Sequence, residues 1–172
     1  MAMSALEKIY ERYRVPVFRY LYRMGGNYDL AEELTQETFY RVVLSLDGFR
    51  GESALSTWLF GIAFNVYNTH IRRQVRRRDV PMDPEIAGGG REGDPALALE
   101  EAENWQLAKL ALKRLSVEHR AVIVLREIEG FSYAEIGRVL NKSPSTARVT
   151  LFRAKQKYRL IYSDLTKGEV NE

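Results

Sequence analysis

Residues 79–95 constrain this 172-residue chain more than any other stretch. From Pro81 to Pro95 there are three prolines and four glycines in 15 residues, with acids between them. Proline cannot donate to a helix or a strand ladder, and glycine loses the most entropy on being ordered. Such a run cannot pack a core and reads as a flexible linker. The flanks must then fold as two small units. Both carry apolar residues at helical spacing, and no stretch shows the sustained alternation of a half-buried strand. The expected fold is all-α: two small helical domains joined by a flexible acidic linker. The expected division is 1–78, linker 79–95, second domain 96–165 and tail 166–172. Helices are expected at about 4–24, 28–46 and 56–77, then 96–114, 117–129, 132–140 and 144–160. Asp94 would cap the fourth, with Pro95 in its first turn.

Charge follows the same division. The net charge of +3 hides +4 over residues 1–78, −7 over 79–104 and +6 over 105–172. Two basic modules flank an acidic connector, and basic faces suit polyanions because phosphate binding releases condensed counterions. Other classes are disfavoured. Charges interrupt every apolar stretch, so no membrane insertion is expected, and Met1–Tyr10 has no apolar block of a secretory signal. The absence of cysteine removes disulfides, thiolate zinc sites and cysteine nucleophiles, and fits a cytoplasmic protein. Glu33 and Glu37 could begin a metal site, but no Glu-x-x-His or Asp cluster joins them, and the only histidines are His70 and His119. No glycine loop for phosphate is visible. Neither a metal, a cofactor nor an enzymatic activity is expected.

The second module contains a helix-turn-helix. Ser132 caps a short helix with Glu135 completing a capping box, and Ala134, Ile136, Val139 and Leu140 form its apolar side. Ser143 caps the next helix and Pro144 opens it, where a missing N–H costs nothing. This shape can lay its second helix in a major groove. On that helix Ala147, Leu151, Ala154 and Tyr158 share the core stripe. Ser145, Val149, Phe152, Arg153 and Gln156 lie opposite, with Arg148 on the flank. Apolar side chains can touch thymine methyls there, and Arg can fork onto guanine or pair with phosphate.

The first module carries two dissimilar faces. In the helix 28–46, Ala31, Leu34, Thr35, Thr38, Phe39, Val42 and Leu46 share the buried side. Glu33, Gln36, Glu37, Tyr40 and Leu44 share the other. Carboxylates repel phosphates, so this mix suits a protein partner. In the helix 56–77, Leu59, Ile62, Ala63 and Val66 form the core stripe, while Asn65, Asn68, Arg72 and Arg76 follow on another side. Five arginines within residues 72–78 supply phosphate contacts. Trp58, Phe60, Phe64 and Tyr67 offer rings beside them, a combination suited to unstacked bases. The loop from Phe49 to Leu55 adds an aromatic, a cation and a glycine.

Together these motifs resemble the extracytoplasmic-function (ECF) sigma factors of bacterial RNA polymerase. The resemblance rests on DLAEELTQETF (29–39), FRGESALSTWL (49–59) and IAFN (62–65) in the first module. In the second it rests on LKRL (112–115), EHR (118–120), LR (125–126), GFSYAEI (130–136) and STARVTLFRA (145–154). It implies a factor that binds core polymerase, recognises −10 and −35 promoter elements and promotes melting, in a stress or envelope response. The helix 28–46 would dock on the clamp coiled coil of the largest subunit through Asp29, Glu33, Gln36, Glu37 and Tyr40. The −10 element would meet Phe49, Arg50, Ser53, Trp58, Asn65, Asn68, Arg72, Arg73 and Arg76, with Phe49 and Asn65 helping to hold an extruded base. The −35 element would meet Ser145, Arg148, Val149, Phe152 and Arg153. An anti-sigma factor is a further implied partner. Phe60-Gly61 and Phe64 stand where the family often has a basic residue, and Gly61 weakens a helix interior by about 1 kcal/mol. Val149 and Thr150 replace frequent Ser and Arg. Two other readings compete. A plain helix-turn-helix regulator leaves residues 49–78 idle, and a nucleic-acid enzyme lacks a catalytic constellation.

Overall fold

The computed structural model describes residues 4–78 and 103–169. Its helices are α1 (Ala5–Gly25), α2 (Tyr28–Ser45), α3 (Leu55–Arg78), α4 (Glu103–Lys113), α5 (Val117–Ile123), α6 (Tyr133–Leu140) and α7 (Pro144–Glu169). A 3₁₀ turn, Leu46–Gly48, follows α2 and a π-helical turn, Val124–Ile128, follows α5. No strand occurs among the described residues. The expected linker, the Asp94 cap and the first turns of the expected helix 96–114 lie outside them.

Local chemistry sets the ends. Ser4 and Glu7 form a capping box at α1, and Gly26, at φ +69°, closes it by donating to the Tyr22 carbonyl at 2.7 Å. Asn27 accepts the Leu30 N–H at 2.9 Å and starts α2. The Ser132–Glu135 box is present at α6. Asn141, at φ 55°, ends that helix, and Ser143 accepts the Thr146 N–H at 3.1 Å to start α7. The turn between them is tight. A Cβ on Gly137 would lie 2.5 Å from the Lys142 carbonyl oxygen, so glycine alone fits without displacing the turn.

Packing follows the expected stripes, with exceptions. Ala31, Leu34, Thr35, Thr38, Phe39 and Val42 of α2 are buried, and Leu46 only partly, because it falls in the 3₁₀ turn. Ala134 is exposed rather than core, since α6 buries Ile136, Gly137, Val139 and Leu140. The expected continuous helix 117–129 breaks at Val124, where the Glu129 N–H reaches the Val124 carbonyl. Gly130, at φ +73°, then turns the chain into α6. The last helix continues past 160, and past the expected tail boundary, to Glu169. No glycine or proline interrupts residues 145–167. The Tyr158 and Tyr162 rings stack at 6.0 Å there, which leaves Tyr158 only partly buried.

The two modules pack on each other. Helix α6 lies across α3, and one continuous core joins Tyr20, Leu59, Phe60 and Phe64 to Phe131, Ile136 and Val139. Phe60 meets Phe131 edge-on at 5.1 Å. A Cβ on Gly61 would sit 3.9 Å from the Val139 Cα, an ordinary van der Waals contact, so Gly61 lies at the α3–α6 interface but the space does not demand glycine.

Arg120 ties the junction. It is 7% exposed, and its guanidinium donates to the carbonyls of Leu112 (2.9 Å), Lys113 (2.8 Å) and Leu115 (3.1 Å) in its own module. Across the junction it donates to the Met24 carbonyl and to the Tyr67 hydroxyl at 3.0 Å. Burial raises the Tyr67 pKa, with Arg120 pulling it back, so the phenol keeps its proton and donates to Met24 at 2.9 Å. Replacing Arg120 by Met orphans several buried acceptors and is expected to cost about 3 kcal/mol or more. Urea denaturation measures this. Arg120→Lys should recover little, because a point ammonium cannot copy the fork.

At the rim Arg23 and Glu129 pair across the junction at 3.6 Å. Burial nevertheless raises the Glu129 pKa, and Arg23 and Arg19 only partly oppose it. A carboxyl raised on folding favours the folded state at low pH. That contribution fades as pH climbs from the unfolded value of 4.5 through the folded one. Glu129→Gln should flatten this part of the stability–pH curve, from about pH 4.5 upward. Melting temperatures across that window check it.

Candidate nucleic-acid interface

Helix α2 presents Asp29, Glu33, Gln36 and Tyr40 to solvent, with Glu37 half-buried. Glu37 bonds Arg41 one turn on at 2.7 Å. Tyr40, Val43 and Leu44 are 61%, 50% and 68% exposed, an apolar patch beside the acids. Val43 escaped the sequence reading because the helical wheel puts it at the edge of the buried stripe. Between α2 and α3 runs a groove of about 380 Å³ lined by Glu33, Gln36, Glu37, Tyr40, His70 and Arg73. The acidic face therefore borders the arginine face directly.

At the N-terminal end of α3, the loop after the 3₁₀ turn brings Phe49 against Trp58, rings 4.9 Å apart and tilted by 40°. Both stay partly exposed, as does Ser53, and Arg50 is exposed. Gly51, at φ +69°, makes the bend that this close return requires. Asn65, Arg72, Arg73 and Arg76 point outward and Asn68 is partly covered. None of these arginines is in an ion pair among the described residues. Three of the expected base-stacking rings are not available. Phe60 and Phe64 are 2% and 8% exposed under α6, and Tyr67 is 2% exposed on Arg120. Because α3 is covered by its own module and by α6, its buried arc is wider than one stripe. Phe49 and Trp58 are the rings left at the surface.

Helix α7 buries Ala147, Leu151 and Ala154, and also Thr150. Ser145, Arg148, Val149, Phe152 and Arg153 are all exposed, Phe152 by 65%. Beneath this helix, burial and the charges of Lys157 and Arg153 hold the His119 imidazole below its usual pKa, with Glu118 opposing. It therefore adds no charge to the face at neutral pH. Phosphate attraction there rests on the arginines and lysines.

Comparison with known proteins gives the family. The sigma-70 region 2 family matches residues 9–77, and the sigma-70 region 4 family matches residues 106–157. RNA polymerase sigma factor YlaC of Bacillus subtilis is 28% identical, over 98% of this chain and 96% of its own. The ECF sigma factor SigW of the same organism is 31% identical, over 94% and 91%. Among solved structures, the sigma factor RpoE in complex with the anti-sigma factor NepR from Bartonella quintana aligns with a TM-score of 0.71. It is 22% identical and covers 94% of this chain and 98% of that one. This chain belongs to the ECF group of the sigma-70 family. It is a promoter-recognition factor for transcription initiation. No helix among the described residues is long and apolar enough to cross a membrane.

Proposed function

We propose that residues 1–78 bind core RNA polymerase and the −10 element, and that residues 96–165 bind the −35 element. In this division Asp29, Glu33, Gln36, Glu37 and Tyr40 face the clamp coiled coil of the largest subunit. Phe49, Arg50, Ser53, Trp58, Asn65, Asn68, Arg72, Arg73 and Arg76 engage the −10 element as it melts. Ser145, Arg148, Val149, Phe152 and Arg153 read −35. One observation carries the reading: a single chain exposes an acidic–apolar helix face and two separate arginine–aromatic faces. The chain works in the cytoplasm, where polymerase is, and does no chemistry of its own. An anti-sigma factor that held the modules together would keep it silent.

The elements it reads lie about 25 base pairs apart, or roughly 85 Å at 3.4 Å per pair. A packed chain of this size has a radius of gyration of about 16 Å. The α3–α6 contact must therefore open on a promoter. Free protein, with two small readers in one closed body, should bind promoter duplex only weakly, at about micromolar Kd or above, because effective concentration is gained only when polymerase spreads them. Fluorescence anisotropy with and without core polymerase checks this. The deciding experiment is run-off transcription with purified core polymerase on a genomic promoter library. Promoter-specific transcripts dependent on added protein are expected. Their absence would overturn the assignment.

A further inference from the structure

We propose that Tyr133 is a positioning residue for −35 readout: its ring orients the Arg148 guanidinium before DNA arrives. The idea rests on the −35 reading above. Tyr133 is the first residue of α6, fixed by the Ser132–Glu135 capping box, and is partly exposed. Two guanidinium groups share its ring. Arg126 lies over it with its central carbon 4.6 Å from the centroid, and Arg148 does so at 5.1 Å. Arg126 is itself anchored, donating to the Phe131 carbonyl at 2.8 Å. Arg148 is not. It is exposed and has no ion pair or hydrogen-bonded side chain among the described residues, so the ring is its one fixed contact.

An exposed arginine samples many rotamers, and a bidentate fork onto a base must select one of them. Stacking on a planar ring narrows that choice while leaving the edge N–H groups free to donate. Arg126, anchored on the Phe131 carbonyl, lies over the same ring, so the pre-orientation belongs to the folded module. The chain from the π-turn through Tyr133 to α7 thus bears on which base Arg148 accepts. A merely structural tyrosine would support the fold without touching discrimination.

The test uses the full chain with core polymerase and a promoter panel carrying every base at each −35 position. Tyr133→Leu is expected to reduce preference at one position by about three- to ten-fold, part of the roughly five- to 150-fold a single bidentate arginine–base pair contributes. Preference elsewhere should hold, as should the salt dependence of binding, since no phosphate contact is removed. Tyr133→Phe keeps the ring and should retain the wild-type preference. In an Arg148→Ala background, Tyr133→Leu should change preference no further. The proposal is overturned if Tyr133→Leu weakens all promoters uniformly, or if Tyr133→Phe is as defective as Leu, which would mark a hydroxyl contact to phosphate. An unchanged profile in Tyr133→Leu overturns it too. Circular dichroism melting identifies a variant that has simply unfolded, and Arg126→Met then supplies the second arm: it loosens the ring and should lower the same preference. Loss of promoter-specific transcription by the wild-type chain would instead sink the −35 reading itself.

Discussion

Oxidation of a Gly61→Cys/Val139→Cys variant should silence promoter-specific transcription, and reduction of the disulfide should restore it. The natural chain has no cysteine, so the only bond that can form is the engineered one. A Cβ on Gly61 would come within 3.9 Å of the Val139 Cα, so a shift of about an ångström or less at the junction brings the two Cβ atoms to the roughly 3.5–4.5 Å a disulfide requires. The bond would fasten α3 to α6, and with them the proposed −10 face to the proposed −35 face. Fastened, one body cannot reach two elements separated by about 85 Å of duplex. The contribution of joining two sites is then lost, which amounts to about 10²-fold or more in promoter occupancy. Run-off assays on oxidised and reduced samples of one preparation give the measurement, and gel mobility gives the cross-linked fraction. Core polymerase should still be retained by the oxidised form, because α2 lies away from this junction. Equal transcription by the fully cross-linked and reduced forms would mean that the modules need not separate.

How far the sequence discloses this molecule depends on whether a side chain's role is local. Capping is local: Ser132 and Ser143 cap their helices as the sequence predicts, and Ser4 adds a cap of the same kind that the sequence reading did not name. The outward side of α7 is nearly as legible, since a helix with one partner module buries one stripe. Helix α3 is different. Its rings Phe60, Phe64 and Tyr67 fit a base-stacking face by composition, yet α6 and Arg120 cover them. Nothing within residues 56–77 announces a second partner packed on the same helix. Gly61 is the one residue there at odds with a helix interior, and it lies against Val139 of α6, yet a Cβ would fit at that contact, so even this signal does not name the partner. Arg120 was hidden for the same reason. A lone arginine after Glu118 and His119 looks like solvated surface, and only the fold brings five acceptors around it. The stacking of Arg126 and Arg148 on Tyr133 joins residues 22 positions apart, beyond any helical repeat. The residues proposed to face polymerase and DNA are legible as surface because helical spacing alone places them on outward sides.

Charge reversal on α2, Glu33→Lys with Glu37→Lys, should abolish association with core polymerase while leaving the fold intact. The two residues lie one turn apart beside Tyr40, Val43 and Leu44, so a docking partner covers acid and apolar surface together. Desolvating a carboxylate against a cationic partner strengthens the attraction, and reversing its sign makes the same geometry repulsive at several kcal/mol. For two reversals the expected loss is about 10²-fold or more in affinity, larger at low salt. The cost to the fold should be small. Glu33 is exposed, and the Glu37–Arg41 pair, half-exposed on one helix, contributes only about 0.3–0.5 kcal/mol. Thermal melting should therefore move by a few degrees at most. Tyr40→Ala and Leu44→Ala, uncharged changes on the same face, should weaken docking without altering its salt dependence. This separates apolar contact from electrostatics. Pull-down against core polymerase across a salt series reads all four substitutions. If the doubly reversed chain melts normally and still binds polymerase as tightly as the natural one, α2 is not the docking helix, and the acidic face needs another partner.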